Sequence, residues 1–142
     1  MATAGYSGTP LVKKLGIREG ARVLLVNAPG NYRKLVAPLP QGVRILSRAG
    51  KDLDVVHIFA DARSELERRI VTLLPSLAQD GMIWVSWPKK ASKVPTDITE
   101  GTIRDVALPL GLVDVKVCAV DDTWSGLKLV IRKELRKSGS RR

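Results

Sequence analysis

The residue types that usually carry chemistry are scarce in this chain, which has one histidine and one cysteine. His57 falls in the middle of the apolar run 54–60 (DVVHIFA), so any metal site or Ser-His-Asp relay would have to be built around a buried residue. A hydrogen-bonded core histidine is the expectation there. Cys118 sits between Val117 and Ala119 with no Cys-x-x-Cys spacing and no adjacent base, and is expected to pack. No zinc-ligand spacing, Gly-x-x-x-x-Gly-Lys phosphate loop or Gly-x-Ser-x-Gly elbow occurs. What remains is charge. Trp87 and Pro88 open a loop bearing Lys89, Lys90 and Lys93, while Asn27, Gly30 and Asn31 belong to an Asn-Ala-Pro-Gly-Asn segment and Asp61 follows another apolar run. Three ammonium groups, an indole plane and the free amides of a helix opened by Asn31 suit a small anionic, nucleotide-like ligand. The competing reading is a solvated basic loop with Trp87 as a lid over the core. No catalytic group, metal or cofactor is assigned.

These residues need a scaffold that brings loop ends together. Residues 22–27 (RVLLVN), bounded by Gly20 and by Pro29-Gly30, predict a strand buried on both faces. Asn31 can then cap a short helix through 32–36, stopped by Pro38 and Pro40. Residues 43–46 and 54–60 predict a second and a third strand. Leu66, Ile70, Leu73, Leu74 and Leu77 recur at helical spacing over 64–78, with Pro75 set to kink or end that helix. Asp80-Gly81 is expected to turn the chain into a strand over 82–87. Asp97 or Thr99 can cap a helix over 100–108 that carries Ile103, Val106 and Ala107 inward and ends at Gly111. Strands over 112–120 and 127–132 then form a hairpin around Asp121, Asp122 and Trp124, where turn chemistry accounts for the acids and sheet packing for the indole.

Alternation of strand and helix predicts a Rossmann-like, three-layer α/β domain, with a mostly parallel sheet of about six strands and a C-terminal antiparallel hairpin. Ligands in such folds bind outside the carboxyl ends of the parallel strands, where the loops after residues 26, 60 and 87 would meet. One joint is short, because only residues 47–53 separate the second and third strands, and a parallel crossover usually takes a dozen or more. Either the chain crosses there without a helix, or the second strand is antiparallel. The domain is expected to span 22–133, preceded by an arm over 1–21 in which 11–15 form a turn or two of helix ending at Gly16, and followed by a basic tail over 134–142.

At 142 residues, with 44% apolar and 27% charged residues, the chain has the size and composition of one folded domain rather than a disordered segment. A single cysteine forms no intramolecular disulfide, and the start MATAGYSGTP has no signal-peptide pattern, so a cytoplasmic location is expected. No apolar run approaches the length that crosses a bilayer as a helix. Half of the net charge of +10 lies in the last 11 residues, where Arg132, Lys133, Arg136, Lys137, Arg141 and Arg142 stand against only Glu134. Such a tail attracts polyanions or simply solubilises the terminus.

Asp80-Gly81-Met82-Ile83-Trp84, Gly111-Leu112 and the strands flanking Trp124 resemble the closing half of class I methyltransferases, in which an acid-Gly-apolar strand, a helix ending in Gly-Leu and a hairpin complete the sheet. That resemblance implies a glycine-rich acidic loop after the first strand and an acid after the second. This chain has one glycine in Asn27-Ala28-Pro29-Gly30-Asn31 and offers Ser47-Arg48, so S-adenosylmethionine is not expected to bind. Over nearly its whole length the chain is similar to a bacterial family known as domain of unknown function 3052. Lys14-Leu15-Gly16, Asp80-Gly81, Ile83-Trp84, Pro88-Lys89, Asp97-Ile98, Gly111-Leu112, Trp124-Ser125-Gly126 and Leu129-Val130 carry the likeness. It implies a cytosolic bacterial protein of this fold and brings no activity with it.

The leading expectation is a non-catalytic binding or regulatory module for a small anionic ligand or partner. One rival is a divergent methyltransferase-like transferase. The other is a nucleic-acid-associated protein that uses its tail; with six aromatic residues in all and no base-reading motif, such contact would be weak and independent of sequence.

Overall fold

In the computed structural model, which describes residues 9–137, the apolar runs become six strands of one sheet. In chain order the elements are α1 (Leu11–Leu15), β1 (Arg22–Val26), α2 (Tyr32–Leu35), β2 (Arg44–Leu46), β3 (Leu53–Phe59), α3 (Arg63–Leu73), β4 (Leu77–Pro88), α4 (Glu100–Ala107), β5 (Leu112–Ala119) and β6 (Trp124–Ile131). The strand order is β2-β1-β3-β4-β6-β5. Parallel pairing runs from β2 through β4, and β6 is antiparallel to both β4 and β5. The Rossmann-like α/β fold predicted from alternation therefore forms. The hairpin inserts its second strand, not its first, beside β4.

Alternation of side chains divides the core into two layers. Toward α3 and α4 lie Val56, Ile58, Ile83, Val85, Leu127 and Leu129, packed against Leu66, Ile70, Ile103 and Val106. Each such fully buried aliphatic side chain contributes about 1.5–3 kcal/mol. Toward α1 and α2 lie Val23, Val55, Phe59 and Trp84, covered by Val12, Leu15, Tyr32 and Val36. The first 21 residues are thus partly core: Leu15 is buried, Gly16 ends α1 at φ 78°, and the Leu15 carbonyl left free at the helix end accepts a 2.8 Å hydrogen bond from Trp84 Nε1. A Cβ on Gly126 would lie 3.2 Å from Trp84 Cε3, so glycine there lets the indole lie against β6.

Three local expectations are corrected. The helix predicted over 64–78 ends at Leu73, because Pro75 falls in a 3-10 turn (Leu74–Ser76) and Leu77 already pairs with Leu53 as part of β4. Asp80-Gly81 is consequently inside β4, at an irregularity rather than a turn; a Cβ on Gly81 would lie 2.7 Å from the Leu53 carbonyl oxygen. The capping role of Asn31 does not materialise either: its side chain makes no capping bond, and α2 is a single four-residue turn. By contrast α4 has a full capping box between Thr99 and Thr102.

The short joint resolves as a parallel crossing without a helix. Because β2 is three residues long and stops level with Leu24, residues 47–52 need only drop back a few residues of height and step over β1. Six residues reach about 20 Å when extended, which suffices.

Candidate functional site

The carboxyl ends of β1, β3 and β4 meet where the fold puts ligands. Asn27 leaves β1 with φ 57°, a left-handed conformation that asparagine tolerates. Its Nδ2 donates to Glu65 Oε2 at 3.1 Å, and Glu65 is also met by Arg69 at 3.1 Å and Arg68 at 3.3 Å. The Arg69 hydrogen bond, then that of Asn27, holds the Glu65 carboxyl below its ordinary value. Asn27, Phe59, Ala60, Asp61, Glu65 and Trp124 line a cavity of about 210 Å³.

The anion-binding start of α3 is occupied by the chain itself. Asp97 Oδ1 accepts from the Arg63 amide at 2.7 Å, and Thr96 Oγ1 donates to the Asp61 carbonyl at 2.7 Å. Residues 96–97 thus fill the position that a ligand carboxylate or phosphate would take.

Beneath the mouth lies a closed polar relay. His57 is 0% exposed, its Nδ1 is 2.9 Å from the Tyr32 hydroxyl, and its Nε2 is 2.7 Å from Ser86 Oγ. Phe59 stacks on the imidazole at 4.4 Å, Tyr32 meets it edge-on, and Trp124 meets Phe59 edge-on. Burial pushes the His57 pKa down to about 3 and the Tyr32 hydroxyl far upward. The imidazole is therefore neutral, bonded at both nitrogens and out of reach of substrate. His57 is the satisfied core histidine the sequence indicates. Tyr32 and Ser86 carry no signal of this role in the sequence, because they stand 25 and 29 positions away along the chain.

Asn27 and Asp61 share the mouth cavity; Gly30 and Asn31 are exposed in the loop before α2. Trp87 is 8% exposed and belongs to the core on the α3–α4 side, so its indole offers no open face. The Lys89 amide donates to the Thr123 carbonyl at 2.8 Å, Ser92 Oγ donates to the Lys89 carbonyl at 2.6 Å, and Lys93 has φ 61°. This ties the loop backbone down and leaves Lys90 and Lys93 exposed. Glu65, Phe59 and Trp124, absent from the expected set, complete the cavity wall. In the tail, Arg136 Nε donates to the Ile131 carbonyl and the Lys137 amide to Gln79 Oε1, while Arg132 is half-buried and Lys133 exposed. Arg141 and Arg142 lie outside the described residues. Cys118 is half-buried, and burial raises its thiol pKa. Among the described residues no group of three or more potential ligands could hold a metal ion, and no helix is long and apolar enough to cross a membrane.

The chain belongs to the family described as protein of unknown function (DUF3052), whose pattern matches residues 46–133. No curated protein matches it in sequence. In structure it is similar to a SAM-dependent methyltransferase from Aquifex aeolicus, at 16% identity and a TM-score of 0.59 over 85% of this chain and 88% of that one. Aeropyrum pernix fibrillarin, solved with natively bound S-adenosyl-L-methionine, matches at 15% identity and a TM-score of 0.60, over 85% and 72%. Magnesium protoporphyrin IX methyltransferase from Synechocystis, solved with bound SAM, gives 12%, 0.57, 85% and 76%. These likenesses establish the shared fold.

Proposed function

We propose that this DUF3052 member is a non-catalytic binding or regulatory module of the bacterial cytosol, built on a methyltransferase-like sheet and serving a small anionic ligand or a partner. The self-satisfied mouth is the observation that carries this reading. Ligand pockets usually enclose ~300–1,000 Å³, and the cavity here has about 210 Å³. Its neighbouring polar groups are committed to one another: Asn27 to Glu65, Asp97 to the α3 amide, and His57 to Tyr32 and Ser86. The chain also lacks an acid directly after β2, where Ser47 and Arg48 stand. An anion would instead be met outside this cavity, by Lys89, Lys90 and Lys93 on their anchored backbone.

The rival reading, a divergent methyltransferase-like transferase, is favoured by likeness of fold to proteins solved with S-adenosylmethionine. A panel of nucleotides, sugar phosphates and carboxylates tested by thermal shift addresses the leading reading. Some of these anions should raise the melting temperature by linkage. Replacing Lys89, Lys90 and Lys93 by alanine should abolish the shift and leave the unliganded melting temperature nearly unchanged. No shift anywhere in the panel would discard the lysine loop as a site.

A further inference from the structure

The sheet has a second region where charge is arranged at a cost. On the α1 side, α1 covers Trp84, and the sheet beyond it toward the β5 edge forms an open groove of about 660 Å³ lined by residues that include Lys13, Lys14, Lys116 and Cys118. Lys116 on β5 stands directly opposite Lys128 on β6, which in turn stands opposite Trp84. Like charges directly opposite on neighbouring strands destabilise a sheet. Arg104, by comparison, is held by Glu100 and Asp114, and Arg68 and Arg69 by Glu65. Desolvation, and then the nearby Lys116 and Arg18, lowers the Lys128 pKa. A neighbouring cavity is lined by Glu19, Asp54 and Asp80 and by Lys128 itself, so Lys128 marks the border at which the basic groove meets carboxylates.

We propose that this open face of β5 and β6 beside α1 is a docking surface for the phosphate backbone of a nucleic acid, contacted through Lys13, Lys14, Lys116 and Lys128 without regard to base sequence. The groove lining includes no residue of the mouth cavity and none of the described tail residues 134–137. Charge complementarity identifies the partner, since the groove is lined by Lys13, Lys14 and Lys116 and, among the described residues, by no carboxylate, and anionic phosphates offset the repulsion that Lys116 meets from Lys128 across the ladder. The shape identifies the mode. An open, polar groove does not wrap a small molecule as ligand pockets do, whereas lysines as point charges suit a repeating row of phosphates. Trp84 and Trp87 are buried and Trp124 is half-buried against Phe59, so these rings are not free for base stacking.

Cys118, the chain's sole cysteine, lines this groove and serves as a native reporter. The full-length chain is treated with N-ethylmaleimide alone, with a 20-base-pair DNA duplex, or with inorganic tripolyphosphate. The duplex is expected to slow Cys118 modification severalfold at low salt and to lose that effect between about 50 and 200 mM salt, as counterion release requires. Exchanging Lys13, Lys116 and Lys128 for glutamine should weaken duplex binding at least tenfold and reduce the log–log salt slope by about 2–3, since each phosphate no longer neutralised removes roughly 0.9 from it. Melting of that variant should match the parent; if it does not fold, Lys116→Gln alone should reduce the slope by about 1. Removing residues 134–142 should leave the protection intact. Three results overturn the proposal: no duplex binding at low salt, protection by tripolyphosphate but not by duplex, or duplex binding that leaves Cys118 exposed and disappears with the tail.

Discussion

The mouth of the parallel strands and the α1-side face of β5 and β6 handle polar groups in opposite ways. At the mouth Asn27, His57 and Asp97 are paired within the chain, the imidazole at both nitrogens and the aspartate on the start of a helix. On the other face, two lysines oppose each other across a strand ladder. A self-paired region is stable as it stands and has little to gain from a ligand. The region with opposed like charges is where the proposed anionic partner would relieve repulsion. The proposed docking surface therefore lies away from the strand ends where such folds commonly bind their ligands.

The largest effect that would sharpen this comparison is acid sensitivity arising at the mouth. In the unfolded chain His57 takes a proton near pH 6.5, whereas in the folded chain burial holds it neutral until about pH 3. Between those values the unfolded state binds more protons, so stability is full above the unfolded value and is lost as pH falls toward the folded one. The loss should be about 1 kcal/mol per pH unit. Urea unfolding between pH 7 and pH 4.5, an interval above most carboxylate titration, measures it, and His57→Gln should flatten the slope. A slope unchanged by His57→Gln would break the claim that the relay is closed and neutral.

A smaller loss is expected from Tyr32→Phe. It strips His57 Nδ1 of its partner in a dry site, which should cost about 1–3 kcal/mol by denaturant unfolding. If the variant is as stable as the parent, water reaches the relay and the mouth is not closed. The smallest effect, with opposite sign, belongs to the other region: Lys116→Gln should leave stability unchanged or raise it by about 0.2–1 kcal/mol, because it removes a like charge opposite Lys128. A clear loss of stability would mean that the fold already compensates the lysine from within.

Legibility in the sequence followed the range of the interaction. Runs such as 22–27 and 54–60, and the stops at Gly16 and Gly111, depend on neighbours along the chain and lie where periodicity and turn chemistry put them, and of the two caps open to α4, Asp97 and Thr99, it is Thr99 that forms. The early start of β4 was hidden because Leu77 keeps helical spacing from Leu73, and only its pairing with Leu53 makes it a strand. The mouth residues Asn27 and Asp61 could be named because strand ends imply a common edge. Their neighbour Glu65 gave no such signal, because its bond to Asn27 spans 38 positions. The Lys116–Lys128 opposition depends on hairpin register, which the presence of two apolar runs does not specify.

The central claim is that the mouth does not hold the nucleoside cofactor found in proteins of this fold. Calorimetric titration of the full-length chain with S-adenosylmethionine tests it most directly. The account predicts no heat beyond dilution. A single-site isotherm with a dissociation constant in the micromolar range would contradict it and make the transferase reading the better one.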